Sequence, residues 1–270
     1  MKKYISLLLA ALMLLSLLAG CGGGKTNADD GDGTRTLVLR NTAGLSTNDP
    51  HATTNTHDYT VFENIYEGLY DLNEATGGYD LRLAEKVEAN DDATEYIVTL
   101  KQGVKFHNGE TMTADDVVFS YDHAQKDAHM GSYCRPLDHV EKIDEYTVKI
   151  VMNQPFSPIG HMLHKVKIMS KKGIEELGND FGKVPNKVGT GPYMWDENNY
   201  NPLSSWSAVA FEDYHRGKAQ IEKITWNVIE DDTSAITALQ NGELDYMVVP
   251  ISYWGYQGFR QVQLRGEGVQ

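Results

Sequence analysis

The stretch Phe106-His-Asn-Gly-Glu-Thr-Met-Thr-Ala-Asp-Asp-Val-Val-Phe-Ser-Tyr121 holds a turn, a helix start and one helix face in a single run. Asn108-Gly109 reads as a turn, since both residues tolerate the backbone conformations of a tight reversal. Thr113 and Asp116 have the spacing of a capping box. In that arrangement the hydroxyl takes a free amide of the first turn, and the third helical residue reaches back to the cap. Beyond them Val117, Tyr121 and Ala124 return at four- and three-residue steps, which predicts an amphipathic helix with one buried face.

Strands and helices are mixed on either side of this run. Residues 96–100, Tyr-Ile-Val-Thr-Leu, predict a strand followed by a Gln102-Gly103 turn. Residues 140–143 and 146–152 predict a hairpin across Asp144-Glu145. Toward the N-terminus, residues 36–40 predict a short strand that runs into a polar loop over 41–50. The spacing of Phe62, Ile65, Tyr66 and Leu69 predicts a helix over 59–70. Toward the C-terminus, Ile224, Trp226 and Val228 alternate as in a half-buried strand. Residues 234–241 then predict a helix closed by Gly242, and residues 244–249 a further strand. No repeat of solenoid period is present.

With 270 residues the chain is long enough for a sizeable core, and 41% apolar with 23% charged residues excludes a disordered or collagen-like polypeptide. The formal charge of −14 repels phosphate backbones, so nucleic acid is not an expected partner. Two cysteines supply neither a disulfide framework nor a cysteine-based zinc site. A mean hydropathy of −0.43 excludes a polytopic membrane protein.

The first residues read as an address. Lys2 and Lys3 precede an apolar run over 5–18 that is too short to span a bilayer, so residues 1–20 are read as a signal peptide. Leu18-Ala19-Gly20-Cys21 resembles the lipobox of bacterial lipoproteins, which implies lipid attachment at Cys21. An ordinary signal peptide with a chance cysteine is the alternative. Residues 21–35 carry Gly, Asp and Thr with little to pack, as a flexible tether does. Cys134, the remaining thiol, reads as a small buried hydrophobe.

Conventional catalytic motifs are absent: there is no GxxxxGK[ST], no HExxH and no GxSxG. His161 and His164 share a helical spacing, but no carboxylate or cysteine near them in sequence completes a metal shell. His51 and His57, in a polar loop, read as solvated or as hydrogen-bonding to a ligand. Asp116 is explained by capping, and the pairs Asp91-Asp92 and Asp231-Asp232 by turns. No catalytic residue, cofactor or metal site is expected.

Residues 106–121 resemble the segment that marks family 5 extracellular solute-binding proteins, the peptide- and nickel-binding receptors of ABC importers. Further stretches agree in order: Asp49-Pro50 followed by Glu67-Gly68-Leu69, then residues 188–193, Val-Gly-Thr-Gly-Pro-Tyr. After these come residues 211–218, Phe-Glu-Asp-Tyr-His-Arg-Gly-Lys, with Ile224-Thr225-Trp226 and residues 242–246 behind them. The resemblance implies a two-lobe periplasmic-binding-protein-like (class II) fold with an α/β, mixed-sheet first lobe. It implies an extracytoplasmic, lipid-anchored and monomeric receptor that closes on short peptides through main-chain contacts. Its partners would be a separate ABC permease and ATPase. By position, Thr53, Thr54, Asn55 and Thr56 are the expected ligand-lining group, with Thr42, Ala43 and Gly44 a second set. Thr190 and Gly191, expected to expose backbone near the cleft, form a third. A nickel or metal-chelate receptor of the same family is the alternative, and an extracellular hydrolase a more distant one.

Family members are longer than this chain. Residues 36–250 are therefore read as an incomplete first lobe with the second lobe missing, and residues 251–270 as a divergent tail such as a frameshift produces. One wall of a cleft buries only part of a ligand, so weak or absent peptide binding and modest stability are expected.

Overall fold

A parallel strand pair organises the computed structural model, which describes residues 35–248. β1 (Thr36–Asn41) lies beside β10 (Lys223–Val228), with Leu37 opposite Ile224 and Leu39 opposite Trp226. β9 (Ser205–Ala210) and β8 (Tyr193–Asn201) follow antiparallel, giving the order β1-β10-β9-β8. Trp226 faces Trp206 across the strands, and both indoles are fully buried together with Trp195. An indole hides on the order of 200 Å² of surface, so each contributes several kcal/mol to holding this sheet.

The second sheet is antiparallel, in the order β4 (Ala84–Ala89), β5 (Glu95–Leu100), β7 (Thr147–Met152), β6 (Leu137–Asp144). Tyr96, Val98 and Leu100 on β5, and Val148, Ile150 and Met152 on β7, point inward while their neighbours are half-buried. That face packs on α2 (Ala114–Lys126), which buries Val117, Tyr121 and Ala124 as their spacing requires. Both arms of the Thr113–Asp116 capping box are formed. A small hairpin of β2 (Tyr70–Asn73) and β3 (Gly78–Leu81) stands apart, and the short helices α3 (Gly160–Lys165) and α4 (Lys171–Leu177) close the body.

The predicted helix over 59–70 is displaced. α1 spans Thr56–Ile65, and Tyr66 is already extended. The Ile65 carbonyl is taken by the Gly191 amide, and Gly68 forms a bridge with Lys167, so tertiary bonds end the helix. Tyr66 and Leu69 stay buried, which is why their spacing mimicked a helix face. α5 (Asp232–Asn241) begins before the predicted residue 234, because Asp231 is its N-cap and accepts the Ser234 amide; this pair is a cap, not the expected turn. Gly242 closes α5 in the left-handed conformation.

Of the predicted strand over 244–249, the described residues 244–248 form one parallel bridge, Tyr246 to Leu39. The Asp245 side chain takes the Val38 amide at 2.7 Å, a bond a neighbouring strand's carbonyl would otherwise make. Residues 1–34, with the expected signal peptide and Cys21, and residues 249–270, with the expected divergent tail, lie outside the described residues. Among the described residues no helix is long and apolar enough to cross a membrane.

Candidate functional site

The parallel strands β1 and β10 end on the same side, and each leads through a loop into a helix. Open α/β sheets offer ligands a crevice outside the carboxyl ends of such strands. Here the two loops are bound together. The Ile229 amide donates to the Asn41 carbonyl at 3.0 Å. Arg40, its side chain buried, donates to the Ile229 carbonyl at 2.8 Å, to the Glu230 carbonyl at 2.9 Å and to Asp232 at 2.7 Å.

Two of the three expected residue sets meet on this face. Asp58, fully buried in the first turn of α1, accepts the Thr53 hydroxyl at 2.8 Å, the Ser46 hydroxyl, and the Ser46 amide at 3.3 Å. Asn55 Nδ2 approaches the same carboxylate at 3.5 Å, and Asn41 Nδ2 donates to the His57 carbonyl at 3.4 Å. These bonds stitch the loop after β1 to the segment before α1. Thr42, Thr54, Asn55 and Thr56 are exposed there, and Ala43 and Gly44 are half-buried. Thr53 is buried, because its hydroxyl serves Asp58 and the Asn55 amide. Gly44 is required: a Cβ would lie 2.6 Å from the Pro202 carbonyl. Ser46 and Asp58 were missed in the sequence; the Asn55-Thr56-His57-Asp58 spacing, an N-cap residue with an acid three positions on, is the signal that points to them.

Thr190 and Gly191 are not exposed, contrary to expectation. Both are buried, since a Cβ on Gly191 would meet the Asn64 carbonyl at 2.6 Å and the Thr190 hydroxyl donates to Glu67 at 3.0 Å. Glu67 also accepts Tyr214 at 2.8 Å and pairs with His215 at 3.0 Å and Arg82 at 3.5 Å. Burial alone would raise its pKa. The bond to His215, the bond to Tyr214 and the Arg82 charge outweigh that and hold it below the ordinary range. This cluster ties three stretches of the chain together and has the character of scaffold.

Among the described residues, two groups of side chains come close enough to hold a metal. Donor atoms of Asp49, His51 and His123 lie within 4.8 Å of one another. His51 is buried, not solvated as expected, and its Nε2 accepts the Lys167 amide at 3.0 Å, so the ring proton sits on the unpartnered Nδ1. A protonated nitrogen has no lone pair for a metal. His123 is bonded to Asp49 at 2.8 Å; that bond lifts the His123 pKa and helps hold Asp49 down against its burial. In the second group, Glu63, Asp71 and His164, the buried Lys167 ammonium lies 2.7 Å from Glu63 and Arg82 pairs with Asp71. A resident cation is thus already there, and neither group fits a metal. His161 belongs to neither and packs edge-on against Tyr133. Cys134 is buried as expected, and burial pushes its thiol up to about 12.

A small concavity of about 60 Å³ opens beside Glu67, Arg82 and Lys167, and a larger one of about 280 Å³ lies between α4 and residues 185–188. Neither is lined by the residues of the β1–β10 face.

Comparison with known proteins places these features in a family. The family model described as "Bacterial extracellular solute-binding proteins, family 5 Middle" matches residues 79–262. The glutathione-binding protein GsiB of Salmonella paratyphi A is 31% identical over 225 residues, which are 80% of this chain and 42% of GsiB. The oligopeptide-binding protein AppA of Bacillus subtilis, solved with a nonapeptide, superposes with a TM-score of 0.74 at 25% identity, over 81% of this chain and 45% of AppA. MoaA of A. tumefaciens R10, solved with mannopinic acid, gives 0.72 at 30% identity, over 78% of this chain and 44% of MoaA. The chain therefore spans about half the length of the relatives it matches or less, and the described residues correspond to a single lobe of the binding-protein fold.

Proposed function

The chain belongs to family 5 of the bacterial extracellular solute-binding proteins, and from that premise we propose that it is a ligand-capturing lobe for short peptides, serving an ABC importer. The observation that carries this reading is the face at the ends of β1 and β10. There Thr42, Thr54, Asn55 and Thr56 stand exposed over loops fastened to Asp58. Short hydroxyl and amide groups on a fixed backbone suit main-chain recognition of an extended peptide, which tolerates many side chains. Peptide and glutathione ligands among the relatives support this class, whereas mannopinic acid shows that the fold alone does not choose it.

The remaining parts of the reading concern place and partners. Cys21 carries the lipid after removal of residues 1–20, residues 21–35 tether the lobe, and a permease and an ATPase encoded separately complete the importer. The receptor works as a monomer on the outer side of the cell membrane. Radiolabelled palmitate incorporation that is lost in Cys21→Ala tests the anchor.

Binding is tested by titrating the isotopically labelled chain with a mixture of tri- to pentapeptides. Shifts confined to residues 42–44 and 53–56 are expected, with a dissociation constant weaker than about 1 μM because one lobe makes only part of the contacts. No shift in those residues at about 5 mM peptide overturns the reading.

A further inference from the structure

The chain contains two Asn-Gly steps, Asn108-Gly109 and Asn241-Gly242, and each is followed by a glutamate. Such a step is self-reactive. The glycine main-chain nitrogen can close on the asparagine side-chain carbonyl carbon, because no Cβ on the following residue obstructs the approach. The two steps share their setting closely. Both asparagines are exposed, and both glycines take left-handed φ, +86° at Gly109 and +75° at Gly242. Only their hydrogen bonds separate them.

Asn108 is held on every side. Its Nδ2 donates to Glu110 at 3.1 Å and to Ser170 at 3.2 Å, and its Oδ1 accepts the Glu110 amide at 3.0 Å. Ser170 caps α4, so moving this side chain disturbs a neighbouring element. The Asn108 amide is tied to the Lys187 carbonyl at 3.0 Å, and the Gly109 amide, the nucleophile here, donates to Phe106 at 2.8 Å. At Asn241 the side chain makes one long bond among the described residues, 3.4 Å to Glu243. The Gly242 amide is divided between the carbonyls of Ala238 and Leu239, at 3.2 Å to the latter. This step also closes the last turn of α5, and helix ends open at the lowest cost.

We propose that Asn241 is a self-modification site whose product loosens the segment beyond α5 from β1, and that the fold protects Asn108 from the same reaction. Gly242 N bonds to Asn241 Cγ while the Cγ–NH2 bond breaks, and ammonia leaves with the proton of the Gly242 amide. Water then opens the cyclic imide at one of its two carbonyls. Opening at Cγ leaves aspartate, and opening at the main-chain carbonyl leaves isoaspartate, with the chain routed through the side chain. No electron is transferred, and water is the only co-reactant. Either product sets a carboxylate beside Glu243 and at the negative end of α5. Isoaspartate also adds a main-chain atom before residues 245–246, where Asp245 meets Val38 through bonds at 2.7 and 2.8 Å. The reaction needs no ligand and is independent of what the lobe binds.

The test ages the full chain in mildly alkaline buffer, folded and in guanidinium chloride. Peptide mass mapping reads the amide-to-acid mass gain, and isoaspartate-specific enzymatic methylation reads the rearranged product. In the folded chain Asn241 is expected to convert at least about fivefold faster than Asn108, the factor that one extra hydrogen bond supplies. In denaturant the two rates are expected to agree within about twofold, because only the fold distinguishes the steps. Asn241→Gln keeps the amide on a longer arm and is expected to remove the product at 241 while Asn108 stays unchanged. Amide exchange at Val38 is expected to be faster in the aged chain than in the fresh one, and to stay slow in aged Asn241→Gln. Equal rates in the folded chain, a faster Asn108, or a lead for Asn241 that persists in denaturant overturns the assignment. So does an unmodified Asn241 in the folded chain once the denatured chain is fully converted. Product at Asn241 with unchanged Val38 exchange overturns the loosening.

Discussion

His107 donates its Nε2–H to the carbonyl of Gly191 at 3.0 Å, joining two stretches separated by 84 residues of chain. The tautomer follows from the partner, because a carbonyl only accepts. Nδ1 is left without a partner, and the buried ring packs edge-on against Phe211. The His107 amide also donates to the Gly189 carbonyl at 2.9 Å, so one residue holds the 188–193 loop at two points.

Acid destabilisation is the first expected consequence. Burial pushes His107 and His51 down to about 4. Below pH 6.5 the unfolded chain takes up protons that these folded rings refuse, so stability falls as pH drops from 6.5 toward 4. Each ring accounts for about 1–2 kcal/mol between pH 7 and pH 5. His123, raised by its bond to Asp49, opposes this: its contribution is complete below 6.5 and is lost as pH rises through its folded value. Urea unfolding at the two pH values is expected to show a net loss, reduced in His107→Gln. Equal stabilities at pH 7 and 5 would contradict this account.

The Glu67 cluster sets the cost of removing one buried charge. Glu67→Ala strands Arg82, His215, Tyr214 and Thr190 together and is expected to lose about 3–5 kcal/mol. Glu67→Gln keeps an acceptor and is expected to lose less. Chemical denaturation of the two variants side by side measures the difference, and equal losses would mean that the charge itself contributes nothing.

Two glycines separate steric need from conformational need. At Gly189 a Cβ would sit 2.2 Å from the Ile65 carbonyl, so Gly189→Ala is expected to cost more than about 3 kcal/mol or to prevent folding. At Gly103, with φ +74° and open space around it, Gly103→Ala is expected to cost only about 1 kcal/mol. Thermal melts rank the two, and the opposite order would refute the steric argument.

Metal addition tests the reading of the histidines. Since the Lys167 amide holds His51 Nε2 and the Lys167 ammonium occupies Glu63, about 1 mM nickel or zinc is expected to raise Tm by less than about 1 °C. A rise of several degrees that disappears in His123→Ala would establish a site at Asp49, His51 and His123.

Much of the scaffold was legible because its signals are short-range. The Thr113–Asp116 box, the Asn108-Gly109 turn and the alternation on β5, β7 and β10 each depend on a few adjacent residues, and all are formed. The helix over 59–70 was misplaced because buried residues on an extended segment kept helical spacing. Of the candidate site, Thr42, Thr54, Asn55 and Thr56 lie together on one face, whereas Thr190 and Gly191 were expected outside and lie inside.

Composition, turn chemistry and local periodicity were enough to establish a mixed α/β chain and the start of α2, and the quoted motifs carried the family likeness, since these depend on neighbours a few bonds apart. Which polar residues point outward depended on folding, because burial is decided by whatever packs on top. Thr190 is covered through a glutamate 123 residues away, and the Ser46 hydroxyl is turned to the buried Asp58 carboxylate. No local pattern encodes the Thr190–Glu67 pairing, as it exists only once distant segments have met.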